Sequence, residues 1–209
     1  MIILLHPLLS KSEYLKSRNS RSNGLFGEYF NNPDFSGKPV FKRIDKRMAF
    51  WWWGKTPDKR ITAKKFSIRW TGVFTAPDTG CYTLQITNTG AARIYLDNEV
   101  ILRHLSPDQS DGYDMNAITK STEINLEKGK KYSIKIEYIK STREYITHLN
   151  LMMTRAYKPG EDKRIQQATE IAGRSDVALV FVGYPNGYET EGGDRPDIRL
   201  TNRQNELIS

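Results

Sequence analysis

Two carboxylates lie close together near the C-terminal end of the chain, in an acidic loop that follows an apolar run. Glu189 and Glu191 are two residues apart, and Asp194 and Arg195 come shortly after them. A neighbouring carboxylate raises the pKa of an acid, which suits general acid catalysis. The apolar run Val177–Val182 predicts a strand buried on both faces, and α/β folds place ligands at the carboxyl end of such strands. The alternative is that both glutamates are solvated loop carboxylates.

Three consecutive tryptophans form a second candidate site. Trp51, Trp52 and Trp53 cannot all face one core from a strand, because neighbouring side chains alternate between its two faces. Sugar-binding proteins use exposed aromatic rings, since the C–H face of a pyranose packs against them. The structural alternative places Trp51 and Trp53 in the core and Trp52 at an edge or in a loop. In either case at least one of the three is expected to be exposed.

The stretch from Phe66 to Leu102 predicts short strands broken by turns. Between Cys81 and Thr87 the residues alternate, with Tyr82, Leu84 and Ile86 on one face. A later segment repeats this alternation with apolar residues on one face: Tyr132, Ile134, Ile136 and Tyr138. Such short strands, with turns about every ten residues, predict an antiparallel sandwich or barrel.

The pattern changes near Tyr157–Gly160. Residues Glu161 to Arg174 have helical spacing, and the predicted strand Val177–Val182 follows. The fold class is therefore mainly β: an antiparallel β-sandwich followed by a truncated α/β segment of helix, strand and loop. We expect a linker or frayed terminus over residues 1–23, the sandwich over 24–157 and the start of a second domain over 158–209.

Composition excludes several functional classes. Hydrophobic residues make up 38% and charged residues 27%, which is typical of a soluble globular protein. The net charge of +8 comes without a nucleic-acid-binding signature, so no nucleic-acid partner is expected. The histidines lack metal-ligand spacing, and neither a metal nor a cofactor is expected. No segment predicts a membrane span, no convincing signal peptide opens the chain, and the compartment stays open.

Motifs in the strand-rich part carry a family resemblance. The pattern W-T-G-x-F-x-x-P-x-x-G-x-Y-x-L begins at Trp70, and R-I-Y-L-D follows at Arg93. With the opening strand Gly24–Phe30, these motifs resemble the anthrax protective-antigen type (PA14) domain, a β-sandwich found in carbohydrate-active enzymes, adhesins and toxins. In sugar-binding members an Asp pair holds calcium. Asn88 and Thr89 stand at those positions here, so the resemblance does not predict a calcium site.

The end of the chain resembles a second family. The segments S-D-V-A-L-V-F-V-G, E-x-E-G-x-D-R-P-D and L-x-x-x-Q-x-E-L-I occur in the order that opens the C-terminal domain of glycoside hydrolase family 3. A PA14 domain often precedes that domain in β-glucosidases of the family. The resemblance implies Glu191 as acid/base, with Glu189 as the runner-up. Asp194 and Arg195 of the same loop, and the aromatic residues Trp51–Trp53, are the expected substrate-binding residues.

These resemblances predict a piece of a retaining β-glucosidase. Its nucleophile would lie on a (β/α)₈ barrel that this sequence does not contain, so the chain is expected to be an internal fragment that is inactive alone. The expected substrates are β-linked glucosides or oligosaccharides. The alternative is a stand-alone carbohydrate-binding module that uses Trp51–Trp53 and the loop 103–118. A scaffold domain without sugar chemistry is the third possibility.

Overall fold

The computed structural model describes residues 12–17, 22–104, 117–140, 146–157, 161–183, 198–200 and 204–208. The described residues up to Ala156 belong to one compact unit, and those from Tyr157 onward belong to a second. Strands build the described part of the first unit, and two helices lie in that of the second. No helix of these residues is both long and apolar enough to cross a membrane.

Antiparallel strands form two sheets in the described part of the first unit. The strands, after a 3₁₀ turn at Ser12–Tyr14, are β1 Leu15–Lys16, β2 Leu25–Phe30, β3 Phe41–Asp45, β4 Ala49–Trp53, β5 Phe66–Thr75, β6 Gly80–Asn88, β7 Ala91–Leu96, β8 Glu99–His104, β9 Ile118–Leu126, β10 Lys131–Lys140 and β11 Ile146–Arg155. The large sheet has the order β3-β2-β5-β10-β7-β8, with β1 also paired to β5. The small sheet has the order β4-β11-β6-β9.

One hydrophobic core fills the space between the two sheets. Trp70 and Phe74 enter it from the large sheet, and Tyr82 and Leu84 enter it from the small one, all fully buried. Apolar and polar residues alternate along these strands because one face of each sheet meets the core and the other meets solvent. The predicted sandwich is therefore confirmed, as are the inward faces of β6 and β10.

The turns between strands follow from their residue types. Asp97 and Asn98 join β7 to β8 with φ values of 48° and 71°. Two consecutive positive φ values are typical of a tight two-residue hairpin turn, and Asp and Asn tolerate them better than most residues do. Gly90 supplies another positive φ, 76°, between β6 and β7.

A buried carboxylate links three strands of the large sheet on the core side. The Oδ2 atom of Asp45 accepts hydrogen bonds from the Tyr29 hydroxyl at 2.5 Å and from Trp70 Nε1 at 2.7 Å. Arg43 Nε donates to Asp45 Oδ1 at 2.7 Å. Burial, and then the nearby Asp45 carboxylate, raise the pKa of Tyr29, so its hydroxyl stays protonated and can donate.

The sandwich begins earlier than the sequence predicted. Residues 1–23 were expected to be a linker or a frayed terminus, but Leu15 and Lys16 pair with Phe74 and Val73 of β5. The Leu15 side chain is fully buried in the core. The polar residues around Leu15 hide this strand in the sequence, because two paired residues leave no alternation to detect.

The second unit contains α1 (Arg164–Ala172) and α2 (Gln204–Ile208). The predicted helix from Glu161 to Arg174 is confirmed in a shorter form. The Asp162 carboxylate accepts a hydrogen bond from the backbone N–H of Arg164 at 3.1 Å, which satisfies a free donor in the first turn. Ile165 is the buried residue of this helix.

The buried strand predicted over Val177–Val182 is wrong. These residues form neither helix nor strand, and Leu179 and Phe181 are 79% and 87% exposed. A strand that is buried on both faces needs hydrogen-bonded neighbours and covering helices. The described residues of this unit supply neither, so the apolar run stays unpaired up to Gly183. There the Gln204 side chain accepts from the Gly183 N–H and donates to its carbonyl, both at 2.7 Å.

Candidate functional site

Strand β4 places two of its three tryptophans on the outside of the sandwich. Trp51 and Trp53 are each 54% exposed. Trp52 lies on the other face of the strand and packs against the core, with its ring centroid 5.1 Å from that of Phe50 and 6.2 Å from that of Phe66. The structural alternative, with Trp51 and Trp53 in the core, is therefore wrong. A run of three identical residues has no alternation from which the inward face could be read.

The neighbouring strand β11 completes an aromatic surface, which we define as Trp51, Trp53 and His148. Trp51 pairs with His148 across the two strands, and their ring centroids are 4.8 Å apart. Trp53 pairs with Ile146, which is buried. Burial lowers the pKa of His148, so the imidazole is neutral near pH 7 and has both a donor and an acceptor nitrogen. No sequence pattern identifies His148 as part of this surface, because its position there depends on the pairing of β4 with β11.

The turn between β6 and β7 holds β11 in place beneath this surface. Thr89 makes two hydrogen bonds with the His148 backbone. Its N–H donates to the His148 carbonyl at 3.0 Å, and its side-chain Oγ1 accepts from the His148 N–H at 3.0 Å. The Thr89 hydroxyl donates to the Ile146 carbonyl at 3.2 Å. These contacts fix the start of β11, and thereby the position of the His148 ring beside Trp51.

The same turn contains Asn88 and Thr89, the positions at which sugar-binding domains of the resembled type have the two Asp residues that hold calcium. The Asn88 amide is buried, its Nδ2 donating to the Gly90 carbonyl at 2.9 Å and its Oδ1 lying 2.7 Å from His104 Nδ1. Burial, and then Lys120, lower the pKa of His104, so a neutral ring donates from Nδ1 to Asn88. Hydrogen bonds within the protein thus occupy this loop. No three potential metal-binding side chains cluster within the described ranges.

The carboxylates of the predicted catalytic loop lie outside the described residues. This holds for Glu189 and Glu191, and also for Asp194 and Arg195. Of the loop predicted as a second sugar-contact region, residues 105–116 also lie outside them. The structure therefore brings together Trp51, Trp53 and His148 from the candidate residues and their neighbours, and places Trp52 behind them in the core.

Comparisons with known proteins relate this sandwich to a domain family. A family profile described as the PA14 domain matches residues 21–167. A "Beta-glucosidase" from Rhizobium radiobacter is 32% identical over 193 residues, which cover 87% of this chain and 22% of that protein. An "Anti-sigma-I factor RsgI3" from Acetivibrio thermocellus is 36% identical over 127 residues, covering 60% of this chain and 18% of that protein.

A solved structure extends the likeness in fold. The crystal structure of a β-glucosidase from Kluyveromyces marxianus superposes with a TM-score of 0.76 and 21% identity, covering 98% of this chain and 26% of that one. The chain spans about a fifth of the length of the curated relatives cited above.

Proposed function

The chain belongs to the PA14 domain family, and from that premise we propose that it binds carbohydrate as part of a β-glucosidase-type glycoside hydrolase. The single observation that carries the proposal is the exposed pair Trp51 and Trp53 on the outer face of β4. The ligands are β-linked glucosides or oligosaccharides.

The chemistry of the aromatic surface favours a sugar. Trp51 and Trp53 are two residues apart on one face of a strand, so their attachment points are about 7 Å apart. That distance suits contact with one or two pyranose rings. Two large exposed aromatic residues side by side are unusual on a soluble surface and mark an interaction site. His148 adds a neutral donor and acceptor for hydroxyl groups beside the rings.

Homology supports a role within a hydrolase. The identity to the Rhizobium radiobacter β-glucosidase covers 87% of the chain, whereas the PA14 match ends at residue 167. We therefore propose that residues 158–209 begin the C-terminal domain of family 3. The exposed apolar run Val177–Val182 fits this proposal, because such a run needs the neighbouring strands of a parallel sheet.

Catalysis in this proposal belongs to the loop after that run. A retaining glycosidase needs two carboxyl groups roughly 5–5.5 Å apart, one as nucleophile and one as acid/base. Glu191 is the proposed acid/base, with Glu189 as the runner-up, and Asp194 and Arg195 contact the substrate. In this proposal the nucleophile comes from a (β/α)₈ barrel outside these 209 residues, and we expect the chain alone not to hydrolyse glycosides.

A stand-alone carbohydrate-binding module is the second candidate. It is favoured by the anti-sigma factor, in which a region 36% identical over 127 residues occurs in a protein that is not named as a glycosidase. The two candidates share the aromatic surface and differ only in the role of residues 158–209.

Titration calorimetry with glucose and cellobiose tests the binding function. We expect the wild-type chain to bind, and Trp51→Ala and Trp53→Ala each to weaken binding by about tenfold or more, as for aromatic residues at the centre of other interfaces. Val100→Ala is the control, because Val100 is a partly exposed apolar residue of the large sheet. Unchanged affinity in both tryptophan variants would remove the aromatic surface from the proposal.

A chimera tests the catalytic role. Residues 24–209 would replace the corresponding segment of the Rhizobium radiobacter β-glucosidase. We expect Glu191→Gln to lower kcat by about 10²–10⁴-fold and Glu189→Gln to leave most of the activity. If Glu189→Gln is the inactive variant, the two roles are reversed. If both variants stay active in an active chimera, neither residue is the acid/base and the stand-alone module is favoured.

A further inference from the structure

The outer face of the small sheet carries almost no charge. Beyond the aromatic surface, this face carries Ala49 on β4, the buried Ile146 with Asn150, Met152 and Thr154 on β11, Cys81, Thr83, Gln85 and Thr87 on β6, and Thr119, Ser121, Glu123 and Asn125 on β9. Glu123 is the one ionised group among them. Amides and hydroxyls dominate this face, although the chain has a net charge of +8.

Strand register arranges these groups in rows that continue from the aromatic surface. Asn150 pairs with Thr87, which pairs with Thr119. The Thr87 and Thr119 hydroxyls lie 2.8 Å apart and hydrogen-bond to each other. In the next row, Met152 pairs with Gln85 and Gln85 with Ser121. Donors and acceptors are thus presented on every strand between β4 and the opposite edge, β9.

The outer face of the large sheet is the opposite in character. One cross-strand row there consists of charged residues on six successive strands: Lys42, Glu28, Arg69, Glu137, Arg93 and Arg103. Glu137 lies 3.2 Å from Arg69 Nε and 3.8 Å from Arg93 Nε. The scarcity of charge on the outer face of the small sheet is therefore a property of that face and not of the sandwich as a whole.

We propose that the outer face of the small sheet, from β4 across to β9, is an extended site for a chain of β-linked pyranoses. This rests on the proposed carbohydrate-binding function and adds the length and the course of the ligand. A neutral polyhydroxylated chain matches a face with amides and hydroxyls and almost no charge. Amide side chains such as those of Gln85 and Asn150 can hydrogen-bond to a sugar hydroxyl group either as donor or as acceptor.

The width of the sheet sets the length of the ligand. Neighbouring strands are about 4.8 Å apart, so the four strands span roughly 14 Å from β4 to β9. A pyranose with its linkage is about as long as one strand spacing, roughly 5 Å, so the face takes about three to four rings. The first ring contacts Trp51 and Trp53, and the later ones lie over Asn150 and Gln85.

Calorimetric titration of the full chain with glucose and with cello-oligosaccharides of two to five units tests this extension. We expect affinity to rise about tenfold from cellobiose to cellotetraose and then to level off, since each added ring gains hydrogen bonds until the face ends. Gln85→Ala and Asn150→Ala should each weaken cellotetraose binding about three- to tenfold and change cellobiose binding less than about twofold.

Thr71→Ala is the matched control, because Thr71 is a polar, half-buried residue on the outer face of the large sheet. It should change neither affinity. Equal affinities for cellobiose and cellotetraose, or cellotetraose binding unchanged in both amide variants, would overturn the extended site and leave the aromatic surface intact. If no sugar of any length binds, the proposed function falls together with the extension. Thermal unfolding followed by circular dichroism checks that each variant is folded.

Discussion

Trp51 and Trp53 are exposed because successive side chains of β4 point to opposite faces of the strand. Phe50 and Trp52 therefore point inward, toward the core. Phe50 stacks on the buried Trp70 with ring centroids 5.3 Å apart, so the outer tryptophans stand on a packed aromatic base. Such a base limits the motion of the strand before a ligand binds, so less conformational entropy is lost on binding. The two outward rings can therefore contact a sugar without a large cost in conformational entropy.

Asp45 is the residue on which we expect the large sheet to depend most. Asp45→Ala leaves Tyr29, Trp70 and Arg43 without their shared acceptor, and should lower the free energy of unfolding by about 3 kcal/mol. Tyr29→Phe removes a single donor and should cost about 1 kcal/mol. Urea unfolding measures both values. Equal losses in the two variants would show that the carboxylate is not the centre of this cluster.

The two described histidines make stability depend on pH. Burial lowers the pKa of His104, beside Asn88 and Lys120, and of His148, beside Trp51. In the unfolded chain these histidines take up protons near their ordinary pKa of 6.5, whereas in the folded chain they do so only at lower pH. Stability is therefore full above that value and falls as the pH drops through the folded pKa values.

Urea unfolding at about pH 7.5 and about pH 5.5 measures this effect, in a window above the ordinary titration of carboxylates. The double variant His104→Asn/His148→Asn should lose most of the difference between the two pH values. A wild-type stability that is the same at both would contradict the cause given for these two pKa shifts.

At the scale of elements, the turn between β6 and β7 positions the start of β11. Gly90 has a φ of 76°, and a Cβ there would lie 2.5 Å from the Ile139 carbonyl oxygen. Gly90→Ala should therefore cost more than the roughly 1–2 kcal/mol that a left-handed conformation alone costs. Gly129→Ala is the matched control, because Gly129 has a φ of 75° and nothing within 4 Å of that Cβ position. Similar losses in both variants would show that the close approach is unimportant.

Sequence predicts an element well where one face of it meets the core and the other meets solvent. The alternation around Tyr82 and Ile86 placed β6 correctly because their burial is decided by a single period. It could not assign the faces of Trp51–Trp53, since neighbouring residues of one type show no period. Sequence-based prediction also wrongly placed a strand at Val177–Val182. The apolar run is visible in the sequence, but whether it forms a strand depends on pairing with residues distant in the chain.

At the scale of the whole molecule, the two outer faces of the sandwich differ in charge. The cross-strand row of the large sheet holds more cations than anions, whereas the small sheet presents amides, hydroxyls and two tryptophans. A neutral ligand on the small sheet should bind with little dependence on ionic strength. An anionic ligand that binds the large sheet would be screened by salt.

Salt dependence therefore tests whether charged groups contribute to binding of the ligand. The affinity for cellotetraose should change less than about twofold between about 50 mM and about 500 mM sodium chloride, because no net charge is neutralised. Repeating the calorimetric titration at both concentrations measures this. A loss of affinity of about tenfold at high salt would contradict a binding site built from uncharged groups.

The most direct test of carbohydrate binding on the small sheet is a two-dimensional ¹H–¹⁵N NMR titration of the labelled chain with cellotetraose. We predict shifts of the Trp51 and Trp53 indole N–H signals and of the side-chain amides of Gln85 and Asn150, while the Trp70 indole, bonded to Asp45 in the core, stays unchanged. Shifts confined to strands of the large sheet, or no shifts at saturating sugar, would contradict the account.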